Sequence, residues 1–219
     1  EYPDKPLTTS TLQQRAFNEL GFSIQKTMKI AQELYEHGHI TYMRTDSTNL
    51  SNDFVEKARN NILNTFGERY INKNIKSIAS SKNAQEAHEA IRPTKLENNE
   101  SKMSKLSSDQ SKLYRLIYEK TIASQMTPAE YEELNVIINN EYLLRKKCYF
   151  VGKIKHLVFN GYKILYGQEN NTDNLNKTVE KLFKNTNIIS TELIGNCIWT
   201  SPPQRYNESS IIKHLEDIG

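Results

Sequence analysis

Cysteine is nearly absent: the 219 residues hold only two, Cys148 and Cys197. They form no C-x-x-C pair and have no histidine partner at zinc-finger spacing. That excludes a structural zinc site of this type and leaves buried free thiols as the expectation. Long apolar runs are missing as well. No stretch approaches the roughly 20 residues that span a bilayer, and the start lacks the basic, apolar and small-residue order of an export signal. These absences point to a cytoplasmic protein. Nor does one sign of charge dominate, since 29 Lys and Arg against 26 Asp and Glu leave +3. Such a balance permits nucleic-acid binding without requiring it, because a binding patch depends on local clustering. What is present suits a folded chain: 37% hydrophobic and 25% charged residues argue against disorder throughout. The length is enough for one large or two modest domains.

The pattern is helical first and β-rich later, an α+β organisation. Ser10 followed by Gln13 has the form of a capping box, with Leu12, Ala16 and Leu20 on one face and Gly21 as a stop. Ser23 opens a second helix through Ile24, Met28, Ala31, Leu34 and Tyr35, ended by Gly38. The pair resembles a helix-turn-helix unit, although helical hairpins of this kind are also common packing units. Phe54, Ala58, Ile62 and Phe66 mark a third helix between Ser51 and Gly67. A fourth carries Leu113, Leu116, Ile117 and Ala123, entered through Ser107 and Gln110 and stopped before Pro128. Residues 129–200 then read as mainly antiparallel β, with turns at Asn139-Asn140, Asn160-Gly161 and Gln168 to Lys177. Ser201-Pro202-Pro203 opens a last segment, 201–219. There Asn207 or Ser209 starts a helix through Ile211, Ile212 and Leu215, cut off at Gly219 as in an excised fragment. The expected divisions are therefore 1–128, 129–200 and 201–219.

Three clusters carry possible chemistry. Residues 40–46 suit a short strand, which puts Ile40, Tyr42, Arg44 and Asp46 on one face and Thr41, Met43 and Thr45 on the other. A phenol of pKa about 10 attacks phosphorus only if its proton leaves near that moment. A neighbouring guanidinium grips phosphate oxygens and stabilises the charge that develops. On spacing alone, such a strand is usually a solvated sheet face. The second cluster is Asn83 to Thr94. If Glu86–Arg92 are helical, His88 and Arg92 share a face suited to phosphate. The plain alternative pairs Glu89 with Arg92. The third is Pro202 to Ser209, where Asn207 or Ser209 at a helix start presents free N–H groups to an anion or simply caps the helix.

Together these clusters resemble bacterial DNA topoisomerase I, a type IA topoisomerase family. The resemblance lies in Pro6 to Gln14 (PLTTSTLQQ), Ile40 to Ser51 (ITYMRTDSTNLS), Ala84 to Thr94 (AQEAHEAIRPT), Gln125 to Pro128 and Pro202 to Ser209 (PPQRYNES). It implies that Tyr42 is the nucleophile, forming a 5′-phosphotyrosine link to one strand of negatively supercoiled DNA, with Arg44 on the scissile phosphate. It also implies DNA contacts by His88 and Arg92, and by Arg205, Asn207 and Ser209 of the third cluster. Strand passage and religation without ATP follow. Mg²⁺ is expected on a Toprim domain that this stretch does not contain, with no metal ligands here, and the intact enzyme is expected to be a monomer. A fragment of this kind is expected to be inactive in relaxation. Residues 1–128 correspond to the helical gate and 129–200 to part of a supporting β arch. Asn207 stands where relatives usually carry Thr or Ser, which puts a hydroxyl contact with phosphate there in doubt.

Overall fold

A computed structural model describes residues 1–73, 88–96, 105–138, 141–168, 196–197 and 199–218. The expected Asn139-Asn140 turn, the polar stretch after Gln168, residues 83–87 of the second cluster and Gly219 lie outside the described residues. The chain forms two compact units, one of residues 2–127 with 204–219, the other of Glu1 with 128–203. The architecture is α+β.

In the helical unit, α1 spans Thr9–Leu20, α2 Ile24–Glu36 and α3 Asn52–Phe66. The start of α1 lies earlier than the Ser10–Gln13 spacing suggests. Thr8 is the cap: its hydroxyl accepts from the Thr11 N–H while the Thr11 hydroxyl accepts from the Thr8 N–H. A threonine at the third position closes this reciprocal box as a Glu or Gln would. Gly21 ends α1 in the left-handed region at φ 67°, where a Cβ would be strained. Ser23 caps α2 as its sequence suggests. After a single-turn helix at Glu68–Tyr70, α4 runs from Ser108 to Ala123 behind a Ser107–Gln110 capping box. Leu12 and Ala16 of α1, Ile30, Ala31 and Leu34 of α2, and Leu113, Leu116 and Ile117 of α4 meet in one apolar core. Ile40, Met43 and Ile91, from the segments of the first two clusters, are packed into the same core. The closing helix, α6 at Glu208–Ile218, lies against α1 within this unit.

The second unit is built on β1, Glu130–Ile138, and β2, Phe150–Phe159, paired antiparallel with Leu134 opposite Ile154. Among the described residues these two strands form the sheet. The expectation of β structure through 129–200 is thus met in part. A short helix α5, Glu141–Arg145, stands between the strands, and Asn160-Gly161 leads into a 3₁₀ segment, Gly161–Tyr166. Ile137, Phe150 and Val151 at the far end of the hairpin are exposed, while Phe159 at its root is buried. At that root the Lys163 ammonium donates to the Tyr131 hydroxyl at 2.6 Å and lies 2.8 Å from the Glu1 carboxylate. The Lys163 hydrogen bond holds the Glu1 carboxyl below its usual range. Burial disfavours the Lys163 charge, but its bonds to Glu1 and Tyr131 prevail and raise its pKa. Both cysteines are exposed, contrary to expectation. Cys148 follows the short helix between the strands, outside any apolar core.

Tyr114 sits at 0% exposure in the helical core, and burial, with Tyr118 nearby, pushes its phenol up to about 12 from 10.0. A raised acid pKa means that folding favours the neutral phenol. Its contribution is complete below pH 10 and is lost as pH rises from about 10 to about 12. Denaturant titrations should therefore show a smaller alkaline loss of stability for Tyr114→Phe than for the unaltered chain. Equal losses would contradict the assignment.

Candidate nucleophile site

Residues 41–46 make no continuous strand. Only Ile40 forms a bridge, to Pro93, yet the alternation expected of a strand persists. Met43 is 1% exposed and Thr45 8%, whereas Tyr42 is 47% exposed, and Arg44 and Asp46 also face solvent. Ile40 departs from its expected face and enters the core. The period of two survives because extended backbone turns successive side chains to opposite sides whether or not a partner strand exists. What substitutes for the missing sheet is a set of side-chain bonds. The Thr41 hydroxyl donates to Ala90 O at 2.8 Å and accepts from the Arg92 N–H at 3.0 Å, while the Thr41 N–H donates to Arg92 O. From α1, the Thr9 hydroxyl reaches Met43 O at 2.8 Å and Thr45 O at 3.1 Å, and accepts from the Thr45 N–H. The Tyr42 ring rests edge-on against Tyr35 of α2, with centroids 5.3 Å apart.

The second cluster is not helical over His88–Arg92. Ile91 bridges to Leu7 and Pro93 to Ile40, so the segment is extended beside the tyrosine loop. Pro93 accounts for this, since the residue before a proline avoids the helical region. His88 and Arg92 therefore do not share a helix face. His88 is exposed, whereas the Arg92 side chain is 13% exposed, lies over the Phe54 ring at 4.2 Å and pairs with Glu89 at 2.5 Å. The pairing of Glu89 with Arg92 is thus realised. Glu89 also accepts from the Ser51 N–H at the start of α3, at 2.9 Å. One carboxylate ties α3 to the guanidinium beneath the loop. The Arg92 Nε is buried without a partner among the described residues. Arg44 and Arg205 have no hydrogen-bond or ion-pair partner among the described residues, so both guanidiniums face solvent uncommitted.

The third cluster stands apart in its packing. Asn207 caps α6: its Oδ1 accepts from the Ser210 N–H and its own N–H donates to the Ser210 hydroxyl, both at 2.8 Å. Ser209 is 6% exposed, and its hydroxyl accepts from Asn18 of α1 at 3.0 Å. A cleft of about 390 Å³ opens between Gln14, Arg15 and Asn18 of α1 and the cap Asn207 with Ser210 and Lys213 of α6. Arg15 there is already held by Asp4 at 2.6 Å. Among the described residues no three His, Cys, Asp or Glu side chains gather as metal ligands. Nor is any helix among them long and apolar enough to cross a membrane.

A family model for DNA topoisomerase matches residues 1–219, the whole chain. The chain belongs to the DNA topoisomerase family. Among curated relatives, DNA topoisomerase 1 of Pseudomonas aeruginosa is 41% identical over 218 residues, covering 99% of this chain and 24% of that protein. The Thermotoga maritima enzyme of the same name is 40% identical over 226 residues, covering 99% of this chain and 34% of its own length. That of Helicobacter pylori is 44% identical over 225 residues, covering 98% and 29% respectively. The structure of full-length topoisomerase I from Thermotoga maritima superposes with a TM-score of 0.73 at 37% identity, over 100% of this chain and 35% of that one. The chain thus spans about a quarter to a third of the relatives it matches. The bacterial type IA resemblance read from the motifs holds along its full length.

The motif pattern did not reveal the supporting residues Thr9, Thr41 and Tyr35, nor the tie from the Ser51 N–H to Glu89. Strand alternation puts Thr41 on the back of a strand, and Thr9 lies in a threonine pair whose helix begins two residues before the start that the Ser10–Gln13 spacing suggests. Removing the carboxylate with Glu89→Ala strands the Arg92 guanidinium and should cost about 1–3 kcal/mol of stability, read from denaturant unfolding. A change smaller than about 0.5 kcal/mol would show that Glu89 does not hold this loop.

Proposed function

We propose that this chain is the nucleophile-bearing part of a type IA topoisomerase and that Tyr42 joins covalently to DNA. The observation that carries this reading is the presentation of Tyr42: an exposed phenol on a loop whose adjacent residue, Met43, is buried in the core. In the reaction the phenol oxygen bonds to phosphorus, and the bond from phosphorus to the 3′ oxygen breaks. The phenol loses its proton, the leaving oxygen gains one, and a 5′-phosphotyrosine and a free 3′-hydroxyl result. Another strand passes, and attack by the 3′-hydroxyl restores the phosphodiester. One phosphate ester replaces another at each step, so no ATP is consumed.

Arg44, on the same exposed side as Tyr42 and uncommitted to any described carboxylate, suits contact with the scissile phosphate. Exposed His88 and Arg205 suit contacts to flanking phosphates. Arg92 acts chiefly through the loop, since Glu89 and Phe54 already hold it. Asn207 and Ser209 border the α1–α6 cleft but spend their side chains on capping and on Asn18. What their side chains retain for a phosphate is the Asn207 amide N–H₂ and the Ser209 O–H. In this reading residues 1–128 move as a gate, 129–200 form part of an arch, and 201–219 open a further helical segment. Mg²⁺ is held by acidic groups outside residues 1–219, and the intact enzyme works as a monomer in the cytoplasm on a single-stranded segment of negatively supercoiled DNA.

With end-labelled single-stranded DNA, the intact protein should yield an adduct that survives denaturation, and Tyr42→Phe should yield none. An adduct in the Phe variant would defeat the assignment. Arg44→Ala should lower cleavage at least about tenfold with the thermal midpoint unchanged; normal cleavage would make Arg44 an ordinary surface residue. Residues 1–219 alone should fail to relax supercoiled DNA, and any binding should weaken steeply with salt. Relaxation by this stretch alone would contradict the division of labour.

A further inference from the structure

We propose that Thr9 is a positioning residue for Tyr42, fixing the loop that carries the phenol from the first turn of α1. The inference rests on Tyr42 being the nucleophile. Among the described residues the Tyr42 hydroxyl has no hydrogen bond, and its ring meets that of Tyr35 in a T-shaped contact. Its placement is therefore set by the backbone on either side. On the amino-terminal side Thr41 is tied to Ala90 and Arg92. On the carboxy-terminal side the ties to Met43 and Thr45 come from Thr9. Its hydroxyl lies 2.8 Å from Met43 O and 3.1 Å from Thr45 O, and accepts from the Thr45 N–H at 2.9 Å. Its own N–H donates to Thr45 O at 2.8 Å. One residue thus brackets Arg44 and holds the two carbonyls that flank it.

The anchor behind Thr9 is rigid. Leu12 and Ala16, one and two turns along α1, are both 0% exposed in the core. Threonine is also a mediocre choice inside a helix, because branching at Cβ restricts its rotamers. The first turn gains little from it, whereas the loop gains a donor and an acceptor at one atom. Val at this position would keep the shape and remove both. Ser would keep both and lose only a methyl.

The test uses the intact protein and three variants, Thr9→Val, Thr9→Ser and Thr9→Ala. Adduct formation is timed at saturating single-stranded oligonucleotide, with oligonucleotide Kd from fluorescence anisotropy and the thermal midpoint measured in parallel. A displaced nucleophile loses rate in the bound complex, so Thr9→Val should slow adduct formation at least about tenfold, with Kd within about twofold. Thr9→Ser should stay within about threefold of the unaltered rate, because the hydroxyl is what acts. If Val lowers the midpoint below the assay temperature, Thr9→Ala supplies the same comparison. Val and Ala variants that cleave at the unaltered rate would overturn the proposal, as would a Ser variant as slow as either. A defect confined to Kd would also overturn it. These outcomes leave the nucleophile assignment standing. Absence of any adduct from the unaltered protein would instead defeat that assignment and this proposal with it.

Discussion

The burial of Met43 is the constraint on which the tyrosine loop depends. Its side chain is 1% exposed, packed with Ile40, Ile91 and the residues of α1, α2 and α4 in a single core. Extended backbone then leaves Tyr42 and Arg44 no direction but outward. A short segment without a sheet around it would ordinarily lose its register, because nothing penalises a slip of one residue. Here a slip would withdraw Met43 from the core and push Tyr42 in, at a cost on the order of a few kcal/mol. Apolar packing fixes the register, and the threonine bonds refine the position.

The same helix serves two neighbours. The start of α1 holds the tyrosine loop through Thr9, while Ser10 and Gln14 donate to Glu216 and Asn18 donates to Ser209 on α6. A further polar tie runs from the Ile24 N–H to Glu208, at 2.6 Å. The described hydrogen bonds between α6 and the helices beside it are all of this polar kind, and Ile211, Leu215 and Ile218 of α6 stay exposed. Contacts through hydroxyls, amides and carboxylates exchange readily for water, so each contributes only on the order of 1 kcal/mol. The core-facing side of α1 is held by apolar burial, and its α6-facing side is tied by polar bonds.

Much of this was legible in the sequence, and the failures have definite causes. The caps at Ser23 and Ser107 and the stop at Gly21 were readable because capping is a local exchange within a few residues. The outward run of Tyr42, Arg44 and Asp46 was readable because a period of two needs only extended backbone. A helix through His88 and Arg92, the condition for their sharing a face, is disfavoured by Pro93, one residue beyond. The ties of the loop were beyond local reading altogether: Thr9 and Met43 are 34 residues apart, and Thr41 and Ala90 are 49 apart. Neither cysteine had a pattern to signal its exposure. The chemical role of Tyr42 came from motif resemblance rather than spacing, since an exposed Tyr-x-Arg-x-Asp run is compatible with an ordinary solvated surface.

The most direct test of the account is to find the amino acid that carries the DNA. The intact protein is trapped on single-stranded DNA and digested with nuclease and protease, and the peptides are sequenced by tandem mass spectrometry. A nucleotide remnant, attached through its 5′ phosphate, is expected on the Tyr42 side chain of the peptide containing Ile40 to Arg44. A remnant on any other residue, or a 3′-phosphate attachment, would contradict it.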